Sequence, residues 1–224
     1  MDLAENLSNS FQYAKKLFSD FGRLIILIIL DIIPFVSWVV VGYSARVLRE
    51  SPENDAPPKL ENYGELFVDG AKVVCVSLIY MLIPLILIGA GIGSFLFGTF
   101  MRGDLAGGFA LRGLMIDAVG VALVLIGCIL AFVMWILLSA GIAHMIKTSK
   151  FSKAFAFGEI LSMIGKVGWG RYLAWIILVA LISILLGTLY SVPVVGWIIF
   201  AIMGPALFVF VFRSLGILYT EGTR

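Results

Sequence analysis

The residues able to do chemistry in this chain are one histidine, two cysteines and a few acids set in apolar surroundings. Asp31 lies inside an apolar run, three residues before Pro34. An intramembrane carboxylate can serve as an ion or proton site. At the end of a hairpin it is instead an interfacial acid, capping a turn or pairing with Arg102 or Arg112. Asp117 opens a later run, where an acid meets the positive end of the helix dipole. His144 stands at the far end of that run beside Lys147, an interfacial place. Glu159 and Lys166 fall on the polar side of an amphipathic stretch, which reads as a solvated face. Cys75 and Cys128 each sit in an apolar run as small packing residues. One histidine and two scattered cysteines do not supply the ligand spacing of a zinc site. Gly89-x-Gly91-x-Gly93 has no strand before it and no Lys-Ser/Thr after it, so it is not a phosphate loop. Its small residues at four-residue spacing, Gly89/Gly93 and Ala90/Ser94, suit close helix packing instead. The expectation is no catalytic residue, no cofactor and no metal.

The elements that must carry these residues belong to a membrane protein. Of 224 residues, 61% are hydrophobic and 13% charged, with net charge +2, and the mean hydropathy is +1.08. A soluble domain carries roughly 25% charged residues. That balance excludes a water-soluble globule, a disordered chain and a nucleic-acid binder with a basic face. Residues 2–21 read as an amphipathic helix, with Leu3, Leu7, Phe11, Ala14 and Phe18 on one stripe and Glu5, Gln12, Lys15 and Lys16 opposite. A Pro34 hairpin is expected over 22–48, an aqueous loop over 49–72, a span at 73–97 with Pro84 inside it, and a Gly-rich loop at 98–115. Another span covers 116–143, a second amphipathic helix 147–170, and a Pro193 hairpin 171–215. Asp2 and Glu5 stand where a secretory signal would be basic, so insertion is expected to rely on these internal spans.

Two stretches echo each other: 30–40 (LDIIPFVSWVV) and 189–199 (LYSVPVVGWII) share Leu, Pro, Val and Trp in register. Gly22-Arg23 and Gly170-Arg171 precede them. Both units run from an amphipathic helix through an apolar run to a Pro-Trp turn and a second apolar run, which makes them parallel repeats. Charge bias then decides the number of crossings. If 24–43 is one straight span, five basic residues fall on one side and 11 on the other. If the chain turns at Pro34, only Arg102 and Arg112 lie outside and 14 basic residues lie inside. The second arrangement also removes Asp31 from the bilayer centre, where an acid costs roughly 2.5–3.5 kcal/mol.

The stretches 42–49 (GYSARVLR), 63–72 (YGELFVDGAK) and 79–84 (IYMLIP), with Arg171-Tyr172-Leu173 and Pro193-Val194-Val195-Gly196-Trp197, resemble the domain-of-unknown-function 4013 family of multi-pass, largely archaeal membrane proteins. The resemblance covers essentially the whole chain. It implies an integral protein of the cell membrane and no established activity. Gly42, Tyr43, Arg46, Asp69, Gly70, Tyr80 and Pro84 match its motif positions and are expected to act structurally, Arg46 pairing with Asp69 across the 50–62 loop. Asp31, Pro34, Pro193 and Trp197 complete the candidate residues.

The expected fold is all-α: a polytopic bundle of about six membrane helices, the first pair short enough to be re-entrant, plus two inner amphipathic helices. The termini are expected to be cytoplasmic. The expected role is a non-enzymatic scaffold or assembly component. The lipid bilayer and a homo-oligomer or other membrane protein are the expected partners, and nucleic acid is not. The alternative is a transporter or channel for ions or small solutes.

Overall fold

The structure is a computed structural model that describes residues 2–101, 118–189, 191, 192 and 194–223. Within these, the chain forms eight α-helices: α1 (Leu3–Lys15), α2 (Phe21–Ile32), α3 (Trp38–Glu50), α4 (Tyr63–Met101), α5 (Ala118–Thr148), α6 (Phe157–Val167), α7 (Trp169–Leu189) and α8 (Val195–Thr223). Four of them, α4, α5, α7 and α8, are long and apolar enough to cross a membrane. The protein is therefore all-α, with the character of a multi-pass membrane protein. α2 and α3, with 12 and 13 residues, reach only ~18–20 Å at 1.5 Å per residue, short of a ~30 Å hydrocarbon core.

Local chemistry sets the breaks. Asp2 and Glu5 form a capping box that starts α1. The expected single helix over 2–21 stops at Lys15 and tightens into a 3₁₀ turn, Lys16–Ser19. Asp20 ends it, because its carboxylate accepts the Arg23 N–H at 3.1 Å and caps α2 instead. Tyr63 opens α4 well inside the stretch expected as a loop to residue 72. Asn62 takes a left-handed φ of 59°, which asparagine tolerates, and Leu66 is drawn fully into the core. The expected helix over 147–170 is divided. α5 runs on to Thr148, a 3₁₀ turn covers Phe151–Phe155, and α6 ends at Gly168. Gly168 holds φ +94°, which only glycine adopts freely. α8 continues to Thr223 rather than leaving the apolar run at 212.

The helices divide into two compact units, one comprising the residues up to Val76 and from Ser139 onward, the other Ser77–Leu138. In the larger unit α8 is the central post, with buried residues along its length from Gly204 to Gly222. It packs on α1, α2, α3, α6 and α7. Leu17, Leu27, Val40, Tyr43, Leu66 and Val209 meet in the core there. In the smaller unit α4 and α5 lie antiparallel. A Cβ added at Gly91 would come 2.6 Å from the Gly120 carbonyl oxygen, and one at Gly127 2.7 Å from the Ile88 side chain. Close packing thus uses Gly91 and Gly127, not the expected Gly89 and Gly93, which face open space. Cys75 and Cys128 are free and exposed, so they are not the packing residues expected.

Candidate functional site

Two of the motif glycines explain each other. A Cβ on Gly42 would sit 1.7 Å from the Leu66 carbonyl oxygen, and one on Gly70 would sit 1.8 Å from that of Trp38. α3 and α4 therefore cross backbone to backbone at this pair. Rings flank the crossing: Trp38 stacks on Phe67 with centroids 5.4 Å apart. Tyr43, fully buried, donates its hydroxyl to the Pro58 carbonyl at 2.9 Å.

A heavily bonded polar group among the described residues is Arg213 on α8, 1% exposed. Its guanidinium donates to the carbonyls of Asn54 at 2.7 Å and Pro52 at 3.2 Å, and to the Ser51 hydroxyl at 3.2 Å. The ring of Tyr13 from α1 lies 4.4 Å beneath it, and Asp55 stands 3.8 Å away. Tyr13 in turn donates to the Ala56 carbonyl at 3.1 Å. Burial pushes the Tyr13 hydroxyl well above its usual range, so it remains a donor. Lys147 from α5 donates to the carbonyls of Arg49, at 3.0 Å, and Ser51. Two cations thus satisfy the carbonyls of the turn after α3, which no helix could satisfy there. Beside it, Asn6 donates to the Ser214 carbonyl at 3.1 Å and Trp175 to the Ser214 hydroxyl at 2.7 Å. One turn of α8 therefore holds α1, α3 and α7.

Asp69 pairs with Arg49 at 2.8 Å and Lys72 at 3.0 Å. The expected Arg46–Asp69 pair is not formed. Arg46 reaches Glu65 at 3.5 Å and donates to the Glu61 carbonyl at 3.0 Å. Arg49, one turn further along the same face of α3, takes Asp69 instead.

A second polar chain ties α5, α6 and α8. His144 Nε2 lies 2.6 Å from Glu159 and Nδ1 2.8 Å from the Tyr219 hydroxyl, while Lys153 donates to the other Glu159 oxygen. One tautomer serves both bonds, with Nε2–H donating to the carboxylate and Nδ1 accepting from Tyr219. Glu159 is held below the usual carboxylate range by Lys153 first and His144 next. Tyr219, His144 and Glu159 thus link α8, α5 and α6, with His144 and Tyr219 buried and Glu159 exposed. Arg171 and Glu221 add a pair at 2.6 Å joining α7 to the end of α8.

The other expected residues fall apart from these. Asp31 sits near the end of α2, where a Cβ on Gly204 would lie 3.1 Å from its carboxylate. Arg102, Arg112, Asp117, Tyr190 and Pro193 lie outside the described residues; of the loop expected at 98–115, residues 98–101 are instead the last turn of α4, and the rest lies outside the described residues. Pro34 is in the exposed turn between α2 and α3. Tyr80 and Pro84 are buried in the smaller unit, and Trp197 is 58% exposed. The sequence singled out no role for Arg213; Glu159 is exposed, as its place on a solvated face implied, yet it also bonds His144 and Lys153. A signal for Arg213 was available: apolar residues recur on both sides of it, from Phe212 to Leu215, Ile217 and Leu218, so it could not stand at a helix end.

No match is found among curated proteins or solved structures. A family model does match, over residues 25–212, from α2 to the residue before Arg213. The chain belongs to the family described as protein of unknown function, DUF4013.

Proposed function

We propose that this DUF4013 protein is a non-enzymatic membrane platform, a scaffold or assembly component of the cell membrane. The observation that carries the reading is Arg213. Among the described residues it is the most deeply buried cation, and its Nη groups join α8 to the turn after α3 and to Asn9 and the Tyr13 ring of α1, while its Nε is buried without a partner; bonding of this kind holds the frame together. His144 and Asp69 are engaged in the same way.

The platform has six membrane segments with both termini cytoplasmic, and α2 and α3 form a re-entrant pair. The charge distribution supports this, with 14 basic residues on one side and two on the other. Shape supports it as well. Arg23 at the start of α2 donates to the Pro57 carbonyl at 2.9 Å, so both feet of the hairpin stand at one level. Asp31 meets α8 at Gly204, nine residues after α8 begins, or ~14 Å along it. The parallel repeat draws support from the two Pro turns. Phe35 and Val194, each following its proline, share left-handed φ values of 66° and 64°. Ser37 N–H to Ile33 and Gly196 N–H to Val192 close the two turns at 2.9 Å each. Lipid is the immediate partner. A second copy or another membrane protein, rather than nucleic acid, completes the assembly.

One observation favours a transporter as the second reading. Asp31 approaches α8 at Gly204, next to Pro205, which lacks the N–H of a regular helix residue. An intramembrane acid against a proline-interrupted helix is a cation or proton site in form. Vesicles reconstituted with the purified chain separate the two readings. The platform shows no proton or sodium flux above protein-free vesicles. A flux that Asp31→Asn abolishes overturns it.

A further inference from the structure

An apolar groove of about 340 Å³ runs between the N-terminal segment and the last two helices. Phe11 of α1 and Phe18 of the following 3₁₀ turn form one wall, and Leu186 of α7 with Met203 and Leu207 of α8 form the other. Its volume falls within the ~300–1,000 Å³ of ordinary ligand pockets. The one charged side chain in its lining is Lys15. The neighbouring lysine, Lys16, is tied to the Asp55 carbonyl, whereas Lys15 has no ion-pair partner among the described residues.

We propose that this groove is a specific lipid site, holding the hydrocarbon chain of a membrane lipid whose anionic headgroup meets Lys15. The inference rests on α7 and α8 being membrane spans, since a groove between them then opens to hydrocarbon. The walls offer a ligand almost no polar group, so they suit a chain that needs none. A ligand with unpaired polar groups would lose its hydrogen bonds there. The lysine at the rim supplies charge complementarity for an anion at the headgroup level, with its stem lying along the apolar wall. A second copy docked about a two-fold axis would bring two Lys15 ammonium groups to one patch, which like-charge repulsion opposes.

The test is native mass spectrometry of the full chain in mild detergent, titrated with dioleoyl phosphatidylglycerol or dioleoyl phosphatidylcholine. The tails are identical, so the headgroup is the only variable. Phosphatidylglycerol is expected to bind about fivefold more tightly, the worth of one lysine near an anionic surface, and the preference is expected to shrink as salt rises. Lys15→Ala removes the preference and keeps the chain-dependent binding. Leu186→Trp, which fills the groove from a half-buried position on α7, weakens both lipids. Equal binding of the two lipids by the parent chain overturns the proposal. So does unchanged binding in Leu186→Trp, or a dimer whose formation expels lipid. Release of the protein from membranes by alkaline wash would instead fail the membrane reading itself. Retention without lipid preference fails only the groove.

Discussion

At the scale of single residues, the polar side chains of this protein act as joints. Replacing Arg213 by methionine keeps the stem but leaves the carbonyls of Pro52 and Asn54 without a donor. Both bonds are part-buried, so each lost one costs ~1 kcal/mol, as a hydrogen bond to a charged group in partial contact with solvent. The expected loss is therefore about 2 kcal/mol, read as a lower unfolding temperature in detergent, with Arg213→Lys recovering part of it. Glu159 predicts an acid-sensitive joint. Its folded pKa is depressed, so the stabilisation is fully present above the ordinary glutamate value of 4.5 and is lost as the pH falls through the lower folded value. Hydrogen exchange along residues 153–167 should rise in that window, and Glu159→Gln should flatten the pH dependence. A profile unchanged by Glu159→Gln would show that another group holds α6. The types of these residues were visible in the chain. Their partners were not, because Arg213 and Ser51 are 162 positions apart and His144 and Tyr219 are 75 apart.

At the scale of elements, the crossing of α3 and α4 is decided by two hydrogens where other residues carry a side chain. Gly70→Ala places a methyl 1.8 Å from the Trp38 oxygen, and backbone cannot rotate away as a side chain can. The helices must part, at a cost of about 3 kcal/mol. Gly42→Ala forces the same separation, so the double variant should cost well under the sum. Denaturant midpoints of the four forms check this, and strict additivity would mean the two glycines act independently. The existence of this contact was legible only as two motif glycines. The partner of each depends on the register of α3 against α4. The long helices were legible from the length of their uncharged apolar runs, as in α5 and α8. Helix ends were not legible where an asparagine, an aspartate or a glycine redirected the backbone, at Asn62, Asp20 and Gly168.

At the scale of the whole molecule, sidedness is the property to measure. Ser51 is a poor reporter, since it is fully buried against Arg213, whereas Lys59 is exposed. In a chain whose Cys75 and Cys128 are replaced by alanine, Lys59→Cys should react with a membrane-impermeant maleimide from the side that bears the N-terminus. Ser37→Cys should be shielded from both sides, because α2 is too short to carry it across. Labelling of Ser37→Cys from the far side would make the hairpin a full pair of spans. Lys59 and the N-terminus on opposite sides would restore a single straight crossing.

The linear chain determined that this protein is helical and built for a bilayer. Those properties follow from local composition: long uncharged runs, their period and the positions of proline, glycine and charge. It also carried enough of the family pattern to place the chain in DUF4013. Only the tertiary structure decided which helix is the post, which charges pair and where backbones touch. Each of these depends on distances between residues far apart in the chain. Arg213 is an arginine like the others in sequence. It becomes the joint of the larger unit because α8 brings it against the carbonyls of Pro52 and Asn54 in the turn after α3.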